Sequence, residues 1–155
     1  MSIEFIRLTQ VNKKDIIELM NNPKVVKHMP LASSKFDDKA YKKFIEEKET
    51  IWKKYGFGPF GFIIDKNFIG WGGLQPEQND IEIAMVLNPN YWGYGRKIYE
   101  RIINSAFHEL KLKSIIILLP PSRKHIKGIL KLGFKREALL KIDDVLFYRY
   151  RLLNV

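Results

Sequence analysis

The run Ser114 to Leu119, SIIILL, constrains this chain more than any other stretch. It is continuously apolar, rich in β-branched isoleucine and halted by Pro120-Pro121, which describes a strand buried on both faces, since a strand with one wet face alternates. Ahead of it, Ile98, Ile102, Ile103, Ala106, Phe107 and Leu110 recur at helical spacing and predict a helix from about Arg96 to Lys111 packed on a sheet. Before that helix, IEIAMVL alternates, with Ile81, Ile83, Met85 and Leu87 on one face and Glu82, Ala84 and Val86 on the other. Strand, helix and strand in this order make a β-α-β crossover.

The flanking sequence fills in a mixed sheet. IEFIRL, Ile3 to Leu8, reads as a strand, followed by a helix through KKDIIELM that stops before Pro23. Ser34 and Asp37 suggest a capping box for a second helix, with Phe36, Ala40, Phe44 and Ile51 on one side and its end near Gly56. GFGPFGFIID and NFIGWGGL form a hairpin about Asp65, Lys66 and Asn67, and QPEQND reads as a polar loop. A further helix fits SRKHIKGILKL, ending at Gly133, and FKREALLKI with VLFYRYRLL reads as a closing hairpin about Asp143-Asp144. The expected fold class is α/β, a mostly antiparallel mixed sheet with helices on both faces, in one domain spanning 1–155.

Composition narrows the chemistry. At 155 residues and 46% hydrophobic content the chain can bury a sizeable core. With no cysteine and three scattered histidines, thiolate nucleophiles are excluded and a zinc site is not expected. No apolar stretch has the length of a membrane span and MSIEFIRLTQ lacks the plan of a signal peptide, so a cytoplasmic address is expected. The formal charge of +10 favours anionic partners, although the basic residues are dispersed as on solvated helix faces, which argues against a dedicated nucleic-acid surface.

The order FIGWGGL, IEIAMVLNPNYWGYG, helix, strand ending LLPPS, and LKLGF resembles the GNAT superfamily of acyl-CoA-dependent N-acetyltransferases, most closely the branch that includes the ribosomal-protein N-acetyltransferases. The resemblance spans nearly the whole chain. It implies a GNAT-like acyl-CoA N-acyltransferase fold, acetyl-CoA as cofactor, and direct transfer to an amine acceptor such as a protein N-terminus or a small amine. It implies further that the strand carrying Met85, Val86 and Leu87 meets the pantetheine arm, and that Trp92, Gly93, Tyr94, Gly95, Arg96 and Lys97 cradle the pyrophosphate at a helix N-terminus. Backbone N–H groups and the helix dipole both favour an anion there. Family members are often dimers, so a monomer or a homodimer is expected.

Two departures stand out. Anchored on Pro89, the glycine motif places Lys97 where the family has Gly or Ala and turns Glu100 and Arg101 inward; anchored on the helix's apolar face, Gly95 becomes the last glycine of a shortened loop. In the second motif Ser122, His125 and Ile129 stand where the family typically has Asn, a small residue and a proton-donating Tyr. Ser122 is then the substitute donor, with helix capping as its alternative role. Glu82 is the candidate base, since a carboxylate inside an apolar strand is costly unless paired or working; a cross-strand ion pair is the alternative. Trp71, Trp92 and Tyr94 are channel or core aromatics, and Tyr99 and Tyr148 are unplaced acids. Rival readings are an idle GNAT-fold module that binds CoA or a protein, and a basic ribosome- or RNA-associated protein.

Overall fold

A computed structural model describes residues 2–29 and 35–155. Strands β1 (Glu4–Arg7), β2 (Pro59–Ile64), β3 (Asn67–Glu77), β4 (Asp80–Leu87), β5 (Ser114–Leu119), β6 (Lys135–Ile142) and β7 (Val145–Leu153) form one sheet in the order β1-β2-β3-β4-β5-β7-β6. Every neighbouring pair is antiparallel except β4 and β5, which run parallel. Helices α1 (Lys13–Asn21), α2 (Pro23–Val26) and α3 (Asp38–Tyr55) precede β2, α4 (Gly95–Asn104) lies between β4 and β5, and α5 (Lys127–Lys131) lies between β5 and β6.

Each face of the sheet has its own core. Leu8, Ile16, Leu19, Met20 and Phe44 pack with Trp71 beneath α1 and α3, while Ile83, Ile98, Ile102, Ile117, Phe134 and Tyr150 pack on the α4 side. Ile115, Ile116 and Ile117 are all buried, as a strand covered on both faces requires.

The structure corrects several expected boundaries. Pro23, expected only to stop α1, also opens α2 at its first position, where its missing N–H costs nothing, and Asn22 caps that turn. Asp37 is the N-cap of α3, accepting from the Ala40 N–H at 2.9 Å; Ser34 lies outside the described residues. QPEQND is mostly strand: Gln75, Pro76 and Glu77 pair with Glu82, Ile81 and Asp80, leaving a turn at Gln78 and Asn79. The helix expected over SRKHIKGILKL shrinks to Lys127–Lys131, because Pro120, Pro121 and Ser122 are taken up in a turn closed by the Arg123 N–H on the Pro120 carbonyl at 3.0 Å. Ser122 therefore caps no helix.

Candidate active site

Between β4 and β5 the register holds only at Glu82 opposite Ile116, and the strands diverge from there toward their C-terminal ends. The opening is a cavity of about 1240 Å³ whose walls are Glu82 to Leu87 on one side and Ile117 to Pro120 with Ser122 and Arg123 on the other. On its far side Val86 and Leu87 are paired with Trp71 and Gly70 of β3; toward β5 they have no strand partner, and there the Leu87 carbonyl is taken by the Trp92 indole. Backbone groups on such an edge are open to a ligand.

Glu82 sits at the apex of this opening. The expected cross-strand ion pair is not what holds it: its partner across β3 is Gln75, whose Nε2 donates to Glu82 Oε1 at 3.1 Å. Burial pushes the Glu82 carboxyl up to about 7; the Gln75 hydrogen bond and Lys48 pull it down, and Glu77 adds to the rise. A carboxyl poised near neutrality in a cavity suits proton abstraction.

Beyond Leu87 the chain makes a 3-10 turn, Pro89–Tyr94, that leads into α4. Ile98, Tyr99 and Ile102 face inward and Glu100 and Arg101 are exposed, which selects the register that ends the glycine motif at Gly95 and corrects the one anchored on Pro89. No side chain caps the N-terminus of α4. A Cβ added at Gly93 would meet nothing within 4 Å, and one at Gly95 only Leu87 at 3.7 Å and Met85 at 3.9 Å, so the fold itself would accept a side chain at either position. Gly70 differs: at φ +155° an added Cβ would lie 2.3 Å from the Val86 carbonyl oxygen, and the glycine lets β3 lie flat on β4.

Of the loop residues, Trp92 and Gly95 line the cavity. The Trp92 indole donates to the Leu87 carbonyl at 3.0 Å and its ring lies edge-on to His28 at 6.1 Å. Tyr94 packs with Tyr91 against the α4-side core, and Trp71 is both core and wall, buried against Phe44 and Met20 while lining the cavity. Arg96 is engaged by Glu100 at 3.0 Å, so its charge is partly answered, whereas Lys97 has no carboxylate within 4.0 Å among the described residues.

The cavity brings together two hydroxyl donors. Ser122 is exposed on its turn, and Tyr99 is buried on α4 and lines the same space. Burial pushes the Tyr99 phenol up and Arg123 opposes that rise. Ile129, in the position where the family commonly has Tyr, is buried and cannot donate. His125 lies at the rim, and Tyr148 packs with Arg136 and against the α4-side core without lining the cavity.

Residues 4–135 match the family model for the acetyltransferase (GNAT) domain. The chain belongs to the GNAT acetyltransferase family. Solved structures share its fold: an acetyltransferase from Agrobacterium tumefaciens aligns with TM-score 0.80 at 16% identity over 97% of this chain and 90% of that one. The spermidine N-acetyltransferase of Vibrio cholerae, in complex with CoA and spermine, aligns with TM-score 0.76 at 17% identity over 98% and 95%. The Campylobacter jejuni N-acetyltransferase PseH, in complex with acetyl coenzyme A, aligns with TM-score 0.70 at 20% identity over 99% and 100%. No curated protein matches the chain at a significant level. Among the described residues of this acetyltransferase, no helix is long and apolar enough to cross a membrane and no group of three or more His, Cys, Asp or Glu could hold a metal ion.

Proposed function

We propose that residues 1–155 form a single-domain cytoplasmic enzyme that moves the acetyl group of acetyl-CoA to a primary amine by direct attack. The observation that carries this reading is the parting of β4 from β5 with Glu82 at the apex and an uncapped helix N-terminus at the mouth. The fit to CoA is chemical as well as spatial: an extended arm can satisfy the open edge of β4, and a pyrophosphate suits the N-terminus of α4, which no side chain caps. Bound there, acetyl-CoA supplies a thioester-activated acetyl group.

The chain's own residues supply the proton transfers. An aliphatic amine arrives as an ammonium near neutral pH and has no free electron pair until it loses a proton. Glu82, ionised above about pH 7, takes that proton. The phenol of Tyr99 stays protonated because burial disfavours its anion, so it stands as the donor toward the leaving sulfur, with Ser122 as a second hydroxyl on the opposite wall.

Charge narrows the acceptor. Lys24, Lys27, Lys35, Arg123 and Lys124 line the cavity against the one carboxylate of Glu82. Of the neighbouring acids Glu77, Asp80 and Glu82 that could draw a polycation, Asp80 is held by Arg151 at 2.8 Å and Glu77 does not line the cavity. A mono-amine is favoured, either a small molecule or the protein N-terminus used by the ribosomal-protein branch. The test is acetyl-CoA-dependent thiol release over a panel of N-terminal peptides, small mono-amines and polyamines. Release with a mono-amine supports the reading, and acetyl-CoA binding without release from any of them would favour an idle module.

A further inference from the structure

Outside the cavity, on the far side of β3, a shallow groove of about 520 Å³ runs between α3 and the Gln75-Pro76 segment. Lys48 of α3 lines it, and its Nζ donates to Gln75 Oε1 at 2.9 Å. The same Gln75 amide donates through Nε2 to Glu82 Oε1 at 3.1 Å. The three side chains thus form a line from the outer groove to the cavity. Glu82 Oε2 takes no hydrogen bond among the described residues, which leaves it for an acceptor proton.

An amide side chain is nearly symmetric in shape, so packing alone does not decide which end faces which neighbour. Charge decides it here. Reversed, the Gln75 carbonyl would face the Glu82 carboxylate and its NH₂ would face the Lys48 ammonium, which is repulsive at both ends. The ammonium is itself held in place, with Nζ 5.0 Å from the Trp71 ring centroid and 5.3 Å from that of Phe44.

We propose that Lys48 is a positioning residue for the acetyltransferase reaction, fixing the Gln75 amide so that its N–H holds Glu82 Oε1 and aims Oε2 into the cavity. The proposal rests on Glu82 being the base. The charged and titratable groups around Glu82 are Glu77 on β3, Lys48 with its neighbour Glu47 on α3, and Tyr99 on α4 with Arg123 beside it; β5 presents the apolar Ile116.

The test is carboxyl NMR titration of Glu82 in the full chain, a readout independent of the acceptor, across Lys48→Met, Lys48→Arg, Gln75→Leu and the Lys48→Met/Gln75→Leu double variant. Methionine matches the stem of Lys48 against Phe44 and Trp71, so folding is retained. Lys48→Met should raise the Glu82 midpoint by about half a pH unit or more, with Lys48→Arg restoring it. Once Gln75 is leucine, Lys48→Met should raise the midpoint clearly less, because only the direct charge effect of Lys48 is left. An unchanged midpoint in Lys48→Met, or equal shifts with and without Gln75, would overturn the proposal. If Lys48→Met behaves as expected while Glu82→Gln leaves turnover intact, the positioning stands and the assignment of the base fails.

Discussion

Glu82 and Ile116 are the residues at which β4 and β5 are in register, and from that pair the two parallel strands separate into the cavity. The β-α-β crossover brings the strands together, and the loop and helix between them close the mouth. A carboxylate at the last paired position has sheet on one side and ligand space on the other, which is why its proton affinity and its hydrogen-bond partner matter more than those of any other acid here.

The glycines separate into two kinds. Gly70→Ala should lower stability by about 2 kcal/mol or more, because its Cβ would meet the Val86 carbonyl at 2.3 Å. Gly95→Ala should raise stability slightly, by about 0.5–1 kcal/mol, as alanine is the better helix former and space is available. It should nevertheless weaken acetyl-CoA binding, by about tenfold if the methyl displaces the pyrophosphate by a hydrogen bond's worth of energy. Thermal melts paired with calorimetric titration read both effects.

Glu82 should impose a rising limb on the pH profile. Activity should increase through about pH 7 as the carboxyl ionises, and Glu82→Gln should lower the rate by about 10²- to 10⁴-fold with little change in acetyl-CoA affinity. Linkage gives the sign for stability. The folded-state pKa lies above the ordinary 4.5, so the native state binds the proton more tightly and stability falls as pH rises from about 4.5 through about 7. Glu82→Gln should therefore raise the melting temperature at pH 8, by about 2–4 °C for roughly 1 kcal/mol, and leave it unchanged at pH 4.

Tyr99→Phe tests the proton donor. The substitution keeps the ring in the α4-side core and removes the hydroxyl in the cavity. Turnover should drop by about tenfold or more at unchanged acetyl-CoA affinity, and Ser122→Ala should have the smaller effect. Equal or reversed effects in steady-state assays would move the donor role to Ser122.

Acceptor charge should be read directly by the enzyme. In paired assays at low salt, a mono-amine should exceed spermidine in kcat/KM, and Lys24→Glu with Lys27→Glu should narrow the gap. Added salt should narrow it too, since the rim lysines are exposed and screened.

The architecture was legible because its signals are periodic or continuous. SIIILL announced a doubly covered strand, the alternation from Ile81 to Leu87 announced its neighbour, and the spacing from Ile98 to Phe107 announced the helix between them. Glu82 was visible for the same reason, as the one carboxylate interrupting an apolar strand. Gln75 was not, because Gln-Pro-Glu-Gln-Asn-Asp has turn composition, and its pairing with β4 comes from the sheet extending past that local preference. Lys48 was one lysine among many on α3, and only the packing of α3 on the sheet sets it over Gln75. Tyr99 was placed by the helix register that the loop sequence left open between two alignments.

Calorimetric titration with acetyl-CoA, run side by side on the wild-type chain and Gly95→Glu, tests the central claim most directly. The account predicts micromolar binding to the wild type and its loss in Gly95→Glu at an unchanged melting temperature, because the new carboxylate would stand where the pyrophosphate meets α4. No binding by the wild type, or equal binding by both, would contradict it.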